Sequence, residues 1–382
     1  MQVRLAPSTS TSTRCTPLGK LPSALRTFAL KPSEQPIRVH TRLSQPPALI
    51  AAQARETGIT PIFIKQGRMT KAYAAQRIVA ILSAMSSPAP WPELRVADWR
   101  DTYATLLLYT QIVGKIRLAL APKMNQWWNV TLYLYARGLT TSPMPYGDRL
   151  VSISLDLIDH RVIVEDSVGN VRSMALAPRA VCIFYGELMS MLGGIGVDTH
   201  IWPQPQECPV TTPFTDDLEH AQYDREAVQR FWQALSRVEP VFQQFRARFR
   251  GKSSPVHFFW GAFDLAVSRF VGRRAPERKG KVERDAYDEE VISLGFWPGD
   301  PWTGATDAMF YAYTVPEPAG LPASPIRPAA GSWNTTLKEF TLPYDDVRRA
   351  SDPAAAILDF AQTTYDAGAT LAGWNREALA YP

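Results

Sequence analysis

The sequence predicts an α+β protein whose mostly antiparallel sheets are packed against helices. Three observations predict it. Short runs alternating apolar and polar residues, such as "RLVSISLDLI" and "RVIVED", are joined by tight turn signals, as consecutive antiparallel strands are. Long segments with apolar residues at helical spacing stand before and after these runs. The one glycine-rich stretch, "GGIGVD", ends a helix and precedes a strand, the reverse of the order that a parallel dinucleotide-binding sheet needs.

In chain order, Asp98 is placed to cap a helix through about Ile112, with Trp99, Tyr103, Leu106 and Leu107 on one face and Gly114-Lys115 as its stop. "WWNVTLYLYARG" reads as a strand and "TTSPMPYGD" as the turn after it. "RLVSISLDLI", "RVIVED" and "VRSMALA" are strands, the last two joined by "SVGN". Pro178 opens a helix through Val181, Phe184, Leu188 and Leu192 that Gly193-Gly194 stops. Asp224 caps the longest helix, whose stripe of Phe231, Trp232, Leu235, Phe242, Phe245 and Phe249 predicts deep packing, with a kink at Pro240. Strands follow at 256–270, "EEVISLGFW", "AMFYAYTV" and "KEFTLP", and Asp352-Pro353 starts a final helix.

These elements fall within residues 88–376, read as a single α+β domain. Residues 1–84 differ: they hold 12 Lys+Arg against 2 Asp+Glu, whereas the remainder holds 29 basic and 34 acidic residues. The overall charge of +5 is therefore a property of the N-terminal stretch, and no nucleic-acid partner is expected. That stretch is rich in Ser, Thr, Arg and Pro, which suits a basic extension of low order, a transit-like segment or a start codon assigned too far upstream. No apolar run approaches the roughly 20 residues that span a bilayer, so no membrane partner is expected. Three scattered cysteines fit a reducing, cytoplasmic setting, with an organelle as the alternative if the extension is a transit peptide. Neither a metal nor a cofactor is expected, because no His, Cys or carboxylate pair has ligand spacing and no phosphate loop is present.

The two halves invite superposition. A shift of 132 residues lays Trp127-Trp128 on Phe259-Trp260 and Arg137 on Arg269, suggesting a pseudo-twofold duplication of a helix–strands–helix unit. A cleft between such halves would be a ligand site.

Candidate chemistry concentrates in three places. In "HFFWGAFDLAVSR", strand alternation puts Asp264 on one face with Ala266 and Ser268, opposite Phe263, Leu265, Val267 and Arg269. Asp264 is either ion-paired internally to an arginine or, with Trp260 and Arg137, part of a polar cleft. In "DLIDHRVIVED", Asp156 and Asp159 beside His160 make an acid–base candidate, although the same residues suit a hairpin turn. Third, Thr140, Thr141, Ser142 and Tyr146 follow Arg137, and with Lys115, Trp128 and Trp260 they could bind an anion; their hydroxyls could equally cap their own backbone. The catalytic candidates are thus His160, His257 and Asp264. The function expected is binding or turnover of a small anionic metabolite, the alternative being a structural or interaction module without a catalytic site.

The strings "TQIVGKIRLALAP", "ARGLTTSPMPYG", "SPVHFFWGAFDLAVSRF", "GFWPG" and "FYAYTVPEP" together resemble the bacterial family catalogued as domain of unknown function 5996. The resemblance runs from about Trp91 to Trp374 and implies no activity. It further implies a histidine in some members where this chain has Gln126 or Asn129, which puts in doubt a mechanism needing an imidazole there.

Overall fold

The computed structural model describes residues 90–381. The expectations for residues 1–84 lie outside the described residues. Helix α1 spans Arg100–Leu120. Asp98 does not cap it: the residue sits in a 3-10 turn at Val96–Asp98, and its carboxylate accepts from Arg95 Nε at 3.2 Å. Nor does the helix stop at Gly114-Lys115. Gly114 is a packing notch rather than a terminator, since a Cβ there would run into the indole of Trp260.

Six antiparallel strands follow: β1 (Tyr133–Tyr135), β2 (Gly138–Thr140), β3 (Met144–Tyr146), β4 (Arg149–Asp156), β5 (Arg161–Asp166) and β6 (Val171–Ala175), ordered β1-β2-β4-β5-β6 with β3 beside β4. The alternation read from the sequence sets their faces. Val151, Ile153, Leu155, Val162 and Val164 are buried, and α1 with α2 (Val181–Gly193) packs against this sheet. The strand expected from Trp127 onward is mostly absent. Trp127 ends a 3-10 turn, Asn125–Trp127, and of the stretch only the bridging Leu132 and the strand Tyr133–Tyr135 pair before the turn into β2.

The second half opens with α3 (Arg225–Ala247), capped as expected by Asp224, whose carboxylate accepts from the backbone N–H of Glu226 (2.9 Å) and Ala227 (3.3 Å). Pro240 lies inside it without ending it. Strands β7 (Lys252–Ser253), β8 (His257–Phe259), β9 (Asp264–Arg274), β10 (Glu289–Trp297), β11 (Met309–Val315), β12 (Ser332–Asn334) and β13 (Glu339–Pro343) form a seven-stranded sheet. Its order is β12-β13-β11-β10-β9-β7, with β8 on β9. The short α4 (Lys281–Ala286) interrupts β9 and β10, and α5 (Tyr344–Arg348), α6 (Pro353–Leu371) and α7 (Arg376–Leu379) close the chain. Both sheets are antiparallel and flanked by helices, so the fold is α+β. Among the described residues, no helix is long and apolar enough to cross a membrane.

Helices α3 and α6 cover one face of the larger sheet. Arg269 points into that layer, 1% exposed, with its guanidinium 3.5 Å from the Phe245 ring centre and 4.4 Å from that of Tyr365. It donates to the Phe245 carbonyl and has no carboxylate partner among the described residues, contrary to the ion pair expected for a buried arginine. Three aromatic faces and a carbonyl at the end of α3 take the place of the anion. Burial pulls its pKa down to about 10.

Helix–antiparallel strands–helix recurs in both halves, and the two sheets meet where Leu132 and Phe258 exchange backbone hydrogen bonds, each 2.9 Å. The 132-residue shift nevertheless equates unlike structures. Arg137 lies in the β1–β2 turn and is 40% exposed along its side chain, while Arg269 sits buried in mid-strand.

Candidate functional site

Among the described residues, the other face of the seven-stranded sheet carries no long helix, and a cleft of about 1070 Å³ lies on it. Small side chains make it deep. Along the floor, β9 contributes Ala266 and Ser268, and β10 contributes Ser293. Gly295 pairs with Tyr311 on β11, and a Cβ at Gly295 would collide with the tyrosine ring. The ring therefore lies across β10, and its hydroxyl donates to Asp264 on β9. Tyr313 follows the same course two residues on, stacked on Tyr311 at 6.1 Å and 3°. Indoles and phenyl rings of Trp128, Phe259, Trp260 and Trp297 make the walls.

Asp264 is the centre of this face. Only 5% exposed, it has no cationic partner within salt-bridge distance among the described residues, so the internal arginine pair considered from the sequence is not formed there. Burial pushes its carboxyl up to about 7, against a partial offset from the Tyr311 hydrogen bond and with a further push from the charge of Glu207. Glu339, at the start of β13, is likewise pushed up to about 7, by burial and then by the charge of Asp264. Glu207 is raised by burial. Its carboxylate lies against Gly261, in the space that a Cβ there would take. Four carboxylates (Glu207, Asp264, Glu283 and Glu339) and one guanidinium (Arg278) line the cleft.

His257 stands on the same face, paired in register with Ala266. Its Nδ1 is 2.9 Å from Thr131 Oγ1. Either atom can be the donor in this contact, and the hydroxyl also lies 3.3 Å from the Trp128 carbonyl. Nε2 is buried and has no partner among the described residues. Burial, followed by the charges of Arg117 and Arg246, holds the imidazole down at about 3, so it is neutral across the physiological range.

The rim is strained. Gln126 and Trp127 are consecutive non-glycine residues in the left-handed region (φ 45° and 59°), and Glu207 joins them at 56°. Two contacts tie the rim to α4 and the residues after it: Trp127 Nε1 donates to the Val282 carbonyl at 3.1 Å, and Gln126 Nε2 to Asp288 Oδ1 at 2.5 Å.

Of the residues singled out from the sequence, Trp128, His257, Trp260 and Asp264 come together here. Lys115 lies 6.0 Å from the Trp260 ring but donates to Gln206 Oε1 (3.1 Å) and does not line the cleft; burial lowers it to about 8. Arg137, Thr140, Thr141, Ser142 and Tyr146 are elsewhere, on the smaller sheet. Arg137 is ion-paired to Asp156 and Asp159, both at 2.6 Å. Thr141 Oγ1 donates to the Ser142 carbonyl, Thr140 Oγ1 accepts from Ser142 N–H, and Tyr146 Oη accepts from Asp198 N–H at 2.8 Å. His160 closes the β4–β5 turn, 2.9 Å from the Tyr223 hydroxyl, while Asp156 accepts from the backbone of Ile158 and Asp159. These partners are the ones that turn and backbone-capping roles require.

Glu207, Tyr311, Tyr313 and Glu339 were missed. The alternation of "AMFYAYTV" puts Tyr311 and Tyr313 on one face, opposite Phe310 and Ala312, and that was the available signal. Nothing local marks Glu207 or Glu339.

The profile of a family described as "Family of unknown function (DUF5996)" matches residues 91–381. No curated protein and no solved structure matches the chain. With well over half of its residues covered by that profile, the chain belongs to the DUF5996 family.

Proposed function

We propose that the cleft is the binding site of a small organic molecule and that Asp264 is the group that exchanges a proton with it. One observation carries this reading: a buried carboxyl, unpaired by any cation and pushed up to about 7, faces a cleft large enough for a metabolite. A carboxyl with that affinity donates and accepts protons with comparable ease at neutral pH, the property a general acid or base needs. A structural module would have no reason to keep such a group unpaired, since burying it costs stability. The excess of carboxylates over guanidinium in the lining favours an uncharged or cationic ligand over the anionic one expected from the Arg137 loop.

Native mass spectrometry of the freshly purified protein tests this reading, with Ala266→Phe as control because its ring would project from the cleft floor. The expected result is a low-mass adduct on the wild type, lost on denaturation and absent from a variant that melts normally. An adduct that persists in Ala266→Phe, or a wild type that takes up no compound from a metabolite panel, would refute it.

A further inference from the structure

We infer that the cleft's ligand is an organic ammonium, with its cationic nitrogen held among Asp264, Glu339 and the tyrosine pair Tyr311–Tyr313 and its apolar body among Trp128, Phe259, Trp260 and Trp297. The inference rests on the small-molecule reading and adds the chemical class. Aromatic walls alone would suit any flat apolar molecule. Carboxylates change the choice, because two of them stand on one sheet face with no arginine or lysine within salt-bridge distance among the described residues, and when ionised they leave negative charge for a cationic ligand to neutralise. Register places them: Glu339 precedes Phe340, which pairs with Ala312, so it stands beside Tyr313, while Asp264 is reached by Tyr311. The ammonium would thus meet carboxylates in line with ring faces, a combination that attracts cations by charge and by the ring quadrupole together.

A second, independent feature points to a ligand with more than one polar end. His257, 1% exposed and lining the same face, keeps an Nε2 without a partner among the described residues. The neutral imidazole offers one hydrogen bond there, as donor or acceptor according to its tautomer, which suits a hydroxyl or an amide on the ligand. The acidic floor disfavours anions.

Binding should be linked to protons. Asp264 and Glu339 hold protons part of the time near neutrality and must release them to face a cation. Affinity for an ammonium therefore rises with pH through the window around about 7, by about tenfold between about pH 6 and about pH 8 for one released proton, and levels off above it.

Calorimetric titration of the intact protein with 2-phenylethylamine, 2-phenylethanol and 3-phenylpropanoate, in buffers of differing ionisation enthalpy, tests the inference. The amine should bind at least tenfold more tightly than the alcohol at about pH 8, release protons, and lose that advantage in Asp264→Asn, which keeps the hydrogen bond from Tyr311. Failure of the inference and failure of the cleft reading look different. Equal binding of alcohol and amine, or preferential binding of the carboxylate, overturns the ammonium assignment and leaves a small-molecule cleft. If none of the three binds, the ammonium assignment also falls, and the adduct comparison between wild type and Ala266→Phe judges the cleft by itself.

Discussion

Asp264→Asn should make the protein more stable at neutral and alkaline pH. In the folded chain the Asp264 carboxyl sits at about 7, against 3.8 for an ordinary aspartate. At roughly 1.4 kcal/mol per pKa unit, holding it ionised in the cleft costs up to about 4 kcal/mol. Asparagine keeps the shape and accepts the Tyr311 hydroxyl without the charge, so a gain of roughly 2–4 kcal/mol is expected once the wild-type group is ionised. Because the folded-state pKa is raised, the folded chain retains a proton that the unfolded chain has lost between about pH 4 and about pH 7. Wild-type stability from this group therefore falls as pH rises through that window and is flat above it. The difference between variant and wild type should be nil near about pH 4, grow through about 7, and then stay constant. Part of the gain comes through Glu339, which the Asp264 charge also raises. Urea unfolding of both proteins at matched pH values measures the difference directly, and the variant's thermal midpoint should rise on the order of 5–10 °C at about pH 8. A variant less stable than wild type at that pH, or a difference that does not change with pH, would refute the reasoning.

Arg269→Met should cost about 1–2 kcal/mol in urea unfolding, short of the roughly 3–5 expected for breaking a buried ion pair, because only the Phe245 carbonyl loses a partner; a loss beyond about 3 would mean that an anion is stranded. Gly114→Ala should destabilise by about 1–3 kcal/mol even though alanine is the better helix former, since the new methyl meets a Trp260 ring fixed by its 2.6 Å hydrogen bond to the Val130 carbonyl. A stabilised variant would show that the indole yields. Phosphate and small carboxylates should shift the thermal midpoint of wild type and Arg137→Met alike, because the guanidinium is already engaged by Asp156 and Asp159; a shift seen only in wild type would restore Arg137 as an anion site.

The chain's own pattern determined the elements and their faces. Alternation in "DLAVSR" alone places Asp264, Ala266 and Ser268 on one side of β9 and Arg269 on the other, and the structure has them so, because side-chain direction in a strand is a local property with period two. Polar caps at Asp224 and Asp352 are equally local, each carboxylate reaching N–H groups two or three residues on. Glycines were harder to read. Gly114 looks like a helix stop and Gly295 like a strand flaw, whereas each is a clearance for an aromatic ring that arrives from a distant element. The same limit governed the site. Which partner a charged side chain meets depends on what lies across the fold, so Arg137 could be matched to Asp156, 19 residues away, only once the β2–β4 register existed. Asp264 acquires its high proton affinity from burial and then from the charge of Glu207, against the opposing hydrogen bond from Tyr311, and these partners come from separate stretches of chain. Burial sets that affinity, and burial is a property of the closed molecule, not of any segment.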